Sequence, residues 1–316
     1  MGAQEWATPD WRAAAQAWAG ERLEEMGRAP CGPLEQVSLR PWSVVLRGLT
    51  AGELVYFKAN IPVLAHESRV VGVLNGVDAS RVLPVLADDL ARGWMLCPDG
   101  GPTLRSRVRS TSDLGLWEQA LGAYAEFQIA AAGRAGDLLA AGAFDYRLDS
   151  LLDLYPKLAT ERPELAAHLP RYRDLCARLA AAGLPDTIHH DDFHDANVFA
   201  DGMGVRFFDW HEGCVAPPFF SLLIALRVTA WRLGLDPGAP ELERLRQAYL
   251  EPWRGYGSAG ELREALDVAL VVGRLTRAAS WRLILDGAGP GVPAEDTSAV
   301  WEWLGEVRDG LYTPAP

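Results

Sequence analysis

The segment IHHDDFHDANVFADGMGVRFFDW, residues 188–210, carries three of the chain's six histidines, five aspartates and one asparagine. The apolar residues between them read as short buried strands. A carboxylate taken out of water needs an opposite charge or hydrogen-bond donors, or it takes up a proton. So many ionisable groups in one apolar neighbourhood need a reason. It reads as a built site and not as a surface loop.

The flanking sequence supplies two different kinds of scaffold. DWRAAAQAWAGERLEEMG, from residue 10, has Trp11, Ala14, Ala15, Trp18 and Leu23 at helical spacing and stops at Gly27. LEQVSLR, SVVLRGL and ELVYFKAN follow as short β-branched or aromatic runs, which predicts a three-stranded antiparallel meander. Pro62 opens a predicted helix, PVLAHESRVVGVLNG. RVLPVLADD and GWMLCPDGG read as two more strands, or a strand and a loop. After Gly101 the pattern is helical except at the histidine-rich segment, where two short strands are expected. The order predicts an α+β chain of two lobes, with residues 1–99 β-rich and residues 100–316 mostly helical. With 316 residues, 49% of them hydrophobic, each lobe has material for its own core.

Composition narrows the function classes. A formal net charge of −12 repels a phosphate backbone, so no nucleic-acid partner is expected. The nearest basic run, RSRVRS at 105–110, reads as a solvated loop. Four widely spaced cysteines give neither a disulfide framework nor a structural zinc site. No signal-peptide pattern and no run of about 18 apolar residues is seen. These readings predict a cytoplasmic protein with no membrane partner.

Within HHDDFHDAN, Asp192 and Asn197 are five apart, and Asp209 ends the apolar run twelve residues later. In the phosphoryl-transfer pattern H-R-D-x-x-x-x-N, the aspartate orients the attacking hydroxyl. The asparagine and a strand-ending aspartate hold Mg²⁺. Mg²⁺ takes hard oxygen ligands, which an amide and a carboxylate provide. HHDDFHDANVF resembles the H-G-D-x-x-x-x-N catalytic loop of the aminoglycoside phosphotransferase family, small-molecule kinases with a protein-kinase-like fold. FFDW resembles that family's second metal motif. The resemblance implies Asp192 as the catalytic residue, Asn197 and Asp209 as Mg²⁺ ligands, and ATP or GTP as the donor.

The β-rich lobe carries the remaining expectations. Lys58, at the end of ELVYFKAN, would hold the nucleotide phosphates and pair with a helix glutamate. Glu67 is the candidate, with Glu53 as a nearby competitor. The turn LRPWSVV lacks the glycines of a protein-kinase phosphate loop, which leaves Ser43 as a phosphate contact through its hydroxyl or backbone N–H. The backbone at Leu96 and Cys97 would meet the purine, and Asp99-Gly100-Gly101 would connect the lobes. Pro98 has no N–H to offer. DWHEGCVAPPFFSLLIA leaves no room for a peptide-binding segment and has no A-P-E, so a protein substrate is not expected. A small hydroxyl compound is. Asp191, Asp195 and Glu212 would suit a cationic one, and Trp301 and Trp303 would stack on it. Two rivals use the same residues. A metal-dependent hydrolase would use His190 and His194, four apart, as zinc ligands. A catalytically silent nucleotide-binding protein would keep the fold without transfer. In the kinase reading His190 holds the loop, and His194 is either structural or phosphate-facing.

Overall fold

A computed structural model describes residues 2–201, 204–289 and 292–312. Gly202 and Met203, inside the histidine-rich segment, lie outside the described residues. The meander appears as β1 (Glu35–Leu39), β2 (Ser43–Leu49) and β3 (Leu54–Asn60), joined by β4 (Ala87–Asp89) and β5 (Trp94–Pro98). The five strands form one antiparallel sheet in the order β1-β2-β3-β5-β4.

Side chains alternate across a strand, so register decides which residues share a face. Val45 pairs with Lys58 and Lys58 with Met95, while Tyr56 pairs with Cys97. All five face one cleft, together with Ser43. The alternate residues Val44, Leu46, Val55, Phe57, Ala59, Trp94 and Leu96 are buried on the opposite face. The helix Pro9–Glu25 covers that face, with Thr8 as its N-cap and Pro9 in its first turn. Its Trp11 and Trp18 meet Trp94 edge-on, with ring centroids 5.8 and 5.7 Å apart.

The predicted helix from Pro62 is broken. Pro62–Leu64 is a single 3-10 turn, and the helix proper is Glu67–Asp78. The break places Glu67 in the first turn, where a carboxylate is favoured by the helix dipole. Val70, Val71 and Leu74 of this helix pack into the larger core with the helix Leu114–Ala131. Conversely Ile284, from the helix Arg274–Ala288, is buried in the core under the sheet. Packing therefore crosses residue 99 in both directions.

The histidine-rich segment and its continuation form more strands than the two expected. β6 (Phe144–Asp145), β7 (Thr187–His190) and β10 (Gly213–Ala216) make a small sheet in the order β6-β10-β7. β8 (Val198–Asp201) and β9 (Gly204–Phe207) make a hairpin. Helices surround them, among them Leu169–Ala181, Leu222–Leu233, Ala259–Val272 and Ala299–Tyr312. No helix among the described residues is long and apolar enough to cross a membrane.

The basic run at 105–110 is not a free loop. Leu104–Arg107 is a short helix, and Arg107 donates to the Ala200 carbonyl at 2.9 Å. Just before it, the connector is tight. A Cβ on Gly100 would lie 2.1 Å from the Phe199 ring, which itself stacks on Phe208 with centroids 4.0 Å apart. Overpacking of this kind costs about 1–3 kcal/mol. Gly100→Ala should therefore lower the unfolding free energy from urea titration by that amount, and an unchanged value would show that the Phe199–Phe208 stack yields freely.

Candidate active site

Lys58, the last but two of β3, is held by carboxylates from two other elements. Its Nζ lies 2.6 Å from Glu67 Oε2 and is hydrogen-bonded to Asp209 Oδ1. His211 Nδ1 is 3.3 Å from the same ammonium and 2.6 Å from Asp209 Oδ1. Asn60, two residues on from Lys58, donates to Glu67 Oε2 at 2.7 Å. Glu67 is thus the partner, and the competing Glu53 pairs with Arg28 at the surface, 3.3 Å away. Burial opposes the charge on Lys58, but Asp209 and Glu67 outweigh it and hold the ammonium protonated far into the alkaline range. Burial likewise opposes ionisation of Asp209, and the Lys58 charge more than offsets it.

The turn after β9 aims Asp209 at Lys58. Asp209 is the positive-φ non-glycine residue among the described residues, at φ 69°. An aspartate tolerates this left-handed geometry better than most side chains, and such strain gathers at functional sites. The hairpin register sets Val198 opposite Phe207, so Asn197 and Phe208 follow as neighbours, with the Phe208 N–H donating to the Asn197 carbonyl at 3.2 Å. His190 fixes the other side. Its Nε2–H donates to the Phe208 carbonyl at 2.9 Å. Burial lowers its pKa to about 4, so the ring is neutral at pH 7.

On the loop itself, Asn197 Nδ2 donates to the Asp192 carbonyl at 3.0 Å. The Asp192 carboxylate is half-buried, with His194 Nε2 at 3.3 Å from Oδ2. His194 Nδ1 accepts from the Ala196 N–H at 3.2 Å and faces Arg105 Nη2 at 3.4 Å. Two donors on Nδ1 put the ring proton on Nε2, which points it at Asp192. Burial would raise the pKa of Asp192, but His194 and the charge of Arg277 hold it far below the usual carboxylate range.

These groups open on one cleft of about 710 Å³, lined by Ser43, Lys58, Glu67, Cys97, Asp192, Asn197 and Asp209 among others. Leu96 is the exception among the predicted site residues. Its side chain is fully buried in the opposite core, and its carbonyl accepts from the Leu86 N–H at 2.7 Å. The alternation of β5 turns Cys97 to the cleft and Leu96 away from it. Burial pushes the Cys97 thiol up to about 12, so it is no nucleophile.

A family model, described as the phosphotransferase enzyme family, matches residues 44–262. The chain belongs to that family. It is a phosphotransferase with a hydroxyl acceptor, of a family of small-molecule kinases. No curated protein matches the sequence significantly. Solved structures share the fold at low identity. A choline/ethanolamine kinase family protein from Mesorhizobium loti is 19% identical with a TM-score of 0.60, covering 95% of this chain and 96% of that one. A choline kinase from Streptococcus pneumoniae is 11% identical with a TM-score of 0.63, covering 94% and 99%. A thermostable aminoglycoside phosphotransferase variant, in ternary complex with ADP and hygromycin B, is 14% identical with a TM-score of 0.53, covering 95% and 99%.

In this phosphotransferase two of the acidic residues expected to attract a cation are engaged internally. Asp191 is buried and paired with Arg277 at 3.2 Å. Asp195 is buried between Arg105, at 2.8 Å, and Arg232. Glu212 does line the cleft. The tryptophans are also redistributed. Trp301 lies at the surface beside Arg162, and Trp303 packs between Arg227 and Arg277, behind the cleft wall. Trp42 and Trp281 line it instead, in an edge-to-face pair with centroids 5.3 Å apart. Trp42 stands in the glycine-free turn quoted above. Trp281 and Arg277, on a late helix, carried no local signal.

The zinc alternative loses its geometry. Among the described residues His190 and His194 belong to no convergent group of three ligand atoms. Among the described residues the group of ligand atoms that converges is Glu67, Asp209 and His211, all within 4.8 Å. The Lys58 ammonium contacts all three residues.

Removing Lys58 leaves two carboxylates facing each other with no cation between them. Loss of one partner of a buried pair costs about 3–5 kcal/mol. Lys58→Met should lower unfolding stability on that scale, and a loss under about 1 kcal/mol would show that the cluster is solvated. Acid titration gives a second test. Burial raises the pKa of Asp191 but Arg277 lowers it further, for a net fall. A carboxyl lowered on folding stabilises the fold above its unfolded pKa of about 3.9, and the gain is lost as pH falls through the folded value. The thermal midpoint should drop below about pH 4, less steeply in Asp191→Asn. An equally steep acid limb in that variant would remove Asp191 from the account.

Proposed function

We propose that the protein transfers the γ-phosphoryl group of ATP or GTP to a hydroxyl of a small, sugar-like or ammonium-bearing molecule. The observation that carries this reading is the convergence of Lys58, Glu67 and Asp209 at one wall of the cleft that also holds Asp192 and Asn197. Residues 1–99 would form the nucleotide lobe, and residues 100–316 would carry the catalytic loop, metal ligands and acceptor pocket. The chain's compartment would be the cytoplasm, where the nucleotide is available.

Lys58, oriented by Glu67, would bind the α and β phosphates. Ser43 lies where the β1–β2 turn meets the cleft and would contact the phosphates. Cys97, through its backbone, would meet the purine. The donor set fits Mg²⁺. Asp209 is held ionised, and the Asn197 amide nitrogen is occupied by Asp192, which leaves its oxygen for a cation. Bound there by Asn197 and Asp209, Mg²⁺ would neutralise phosphate charge. Asp192 would hold the acceptor hydroxyl in line with the γ-phosphorus. The new O–P bond forms as the bond to the β–γ bridging oxygen breaks. ADP or GDP leaves, and the hydroxyl proton passes to the Asp192 carboxylate. Positioning and charge complementarity supply most of the acceleration.

The acceptor side supports the substrate class. Trp42 and Trp281 offer aromatic faces, and the part-exposed Asp192 offers a carboxylate. Aromatic faces with nearby carboxylates suit sugar rings and ammonium groups. Structural relatives include choline kinases and an enzyme holding hygromycin B, which fit the same class.

A panel of sugars, amino sugars and amino alcohols, assayed with Mg²⁺ and ATP or GTP, should yield acceptor-dependent nucleoside diphosphate. Nucleotide binding with no acceptor-dependent product anywhere in the panel would favour the catalytically silent reading. Asp192→Ala should reduce kcat by about 10²-fold or more with nucleotide affinity nearly unchanged. Asp209→Ala should instead weaken Mg²⁺-dependent nucleotide binding. Strong residual turnover in the first variant, or unchanged binding in the second, would remove that residue from its role.

A further inference from the structure

The family's catalytic loop has glycine between its histidine and its aspartate, and this chain has Asp191 there. The Asp191 side chain is fully buried. Thr276 Oγ1 donates to its Oδ1 at 2.6 Å, and His189 Nε2 lies 2.9 Å from the same oxygen. Arg277 Nη1 donates to its backbone carbonyl at 3.0 Å and sits 3.2 Å from Oδ2. Thr276 and Arg277 come from the helix Arg274–Ala288, more than eighty residues away in the chain.

The same guanidinium reaches further. Nη1 is 3.4 Å from Glu212 Oε1, and Nη2 is 3.6 Å from Asp192 Oδ1. Arg277 is 5% exposed, and the Trp303 ring lies 5.9 Å from its guanidinium carbon. It also lines the cleft. One cation thus serves three carboxylates that would otherwise repel one another. Other charged or titratable groups around Asp192 include His190 at the end of β7, His194 on its own loop and Arg105 on the short helix Leu104–Arg107. The planar fork matters. Its two terminal nitrogens address two successive residues of the loop, which a point-like ammonium cannot do.

We infer that Arg277 is a positioning residue for phosphoryl transfer, anchored by Asp191 and Glu212 and setting the direction in which Asp192 faces the acceptor hydroxyl. The inference rests on the role proposed above for Asp192. Asp191 is then the counter-charge that lets an arginine sit behind the catalytic aspartate, and the departure from glycine has a physical reason.

Two variants test it. Arg277→Lys keeps the charge and loses the fork. The double variant Arg277→Met with Asp191→Asn removes a charge of each sign, so that Asp191 is not left buried and unpaired. Each is assayed with Mg²⁺-ATP and the panel acceptor that wild type turns over fastest, beside the Kd for Mg²⁺-AMP-PNP and the thermal midpoint. The expected result is a fall in kcat of roughly tenfold or more in both, with the AMP-PNP Kd within about twofold of wild type. The lysine variant should retain more activity than the double variant. Wild-type kcat in either folded variant would overturn the inference and leave the phosphotransfer reading intact. So would a loss of kcat matched by an equal loss of AMP-PNP affinity and of thermal stability, since that marks a structural role. Absence of acceptor-dependent turnover in wild type would overturn both.

Discussion

One ammonium group organises the site. Lys58 comes from the third strand of the sheet, Glu67 from the first turn of the helix behind it, and Asp209 from the turn that ends β9. A lysine only 11% exposed must give up most of its hydration, and it does so here because two carboxylates replace that water. The requirement propagates. Asp209 adopts a left-handed backbone to reach the ammonium, Phe208 is held by His190, and Asn197 is fixed by its contact with Asp192. The protein's own side chains thereby fix the cleft walls, which is the form of preorganisation that the proposed phosphoryl transfer needs.

The residues legible in the sequence are those whose relations are local or follow from strand alternation. The spacing of Asp192, Asn197 and Asp209 lies within one segment. The alternation of ELVYFKAN marks Lys58 as part of a two-faced strand, with Phe57 turned the other way. The choice between Glu67 and Glu53 needed the fold, because only the break after Pro62–Leu64 turns the helix start toward Lys58. Leu96 was read only for its backbone, and the burial of its side chain on the opposite face was equally out of reach. Its orientation follows from the pairing of Lys58 with Met95, and cross-strand register is not written in either strand alone. Arg277 and Trp281 lie on a helix that is buried without interruption from Leu275 to Ser280 and carries no motif, and its relation to residue 191 appears only on folding.

Charge illustrates the same limit. A net charge of −12 and a cluster of aspartates resemble an attractive surface for cations. In the structure Asp191 and Asp195 are each matched by arginines from distant segments, so neither is free to meet a ligand. What the cleft presents is a smaller set, Asp192, Glu212 and Arg277 beside an aromatic pair. Burial determines which of a chain's charges a ligand feels, and composition counts them all equally.

The central claim is that the cleft is a Mg²⁺-nucleotide site built on the Lys58 cluster. Calorimetric titration of wild-type protein with AMP-PNP, with Mg²⁺ and then with Mg²⁺ removed by chelation, tests it most directly. The account predicts one site per chain and binding that weakens by at least tenfold without the metal. Binding of equal strength in both conditions, or no binding in either, would contradict it.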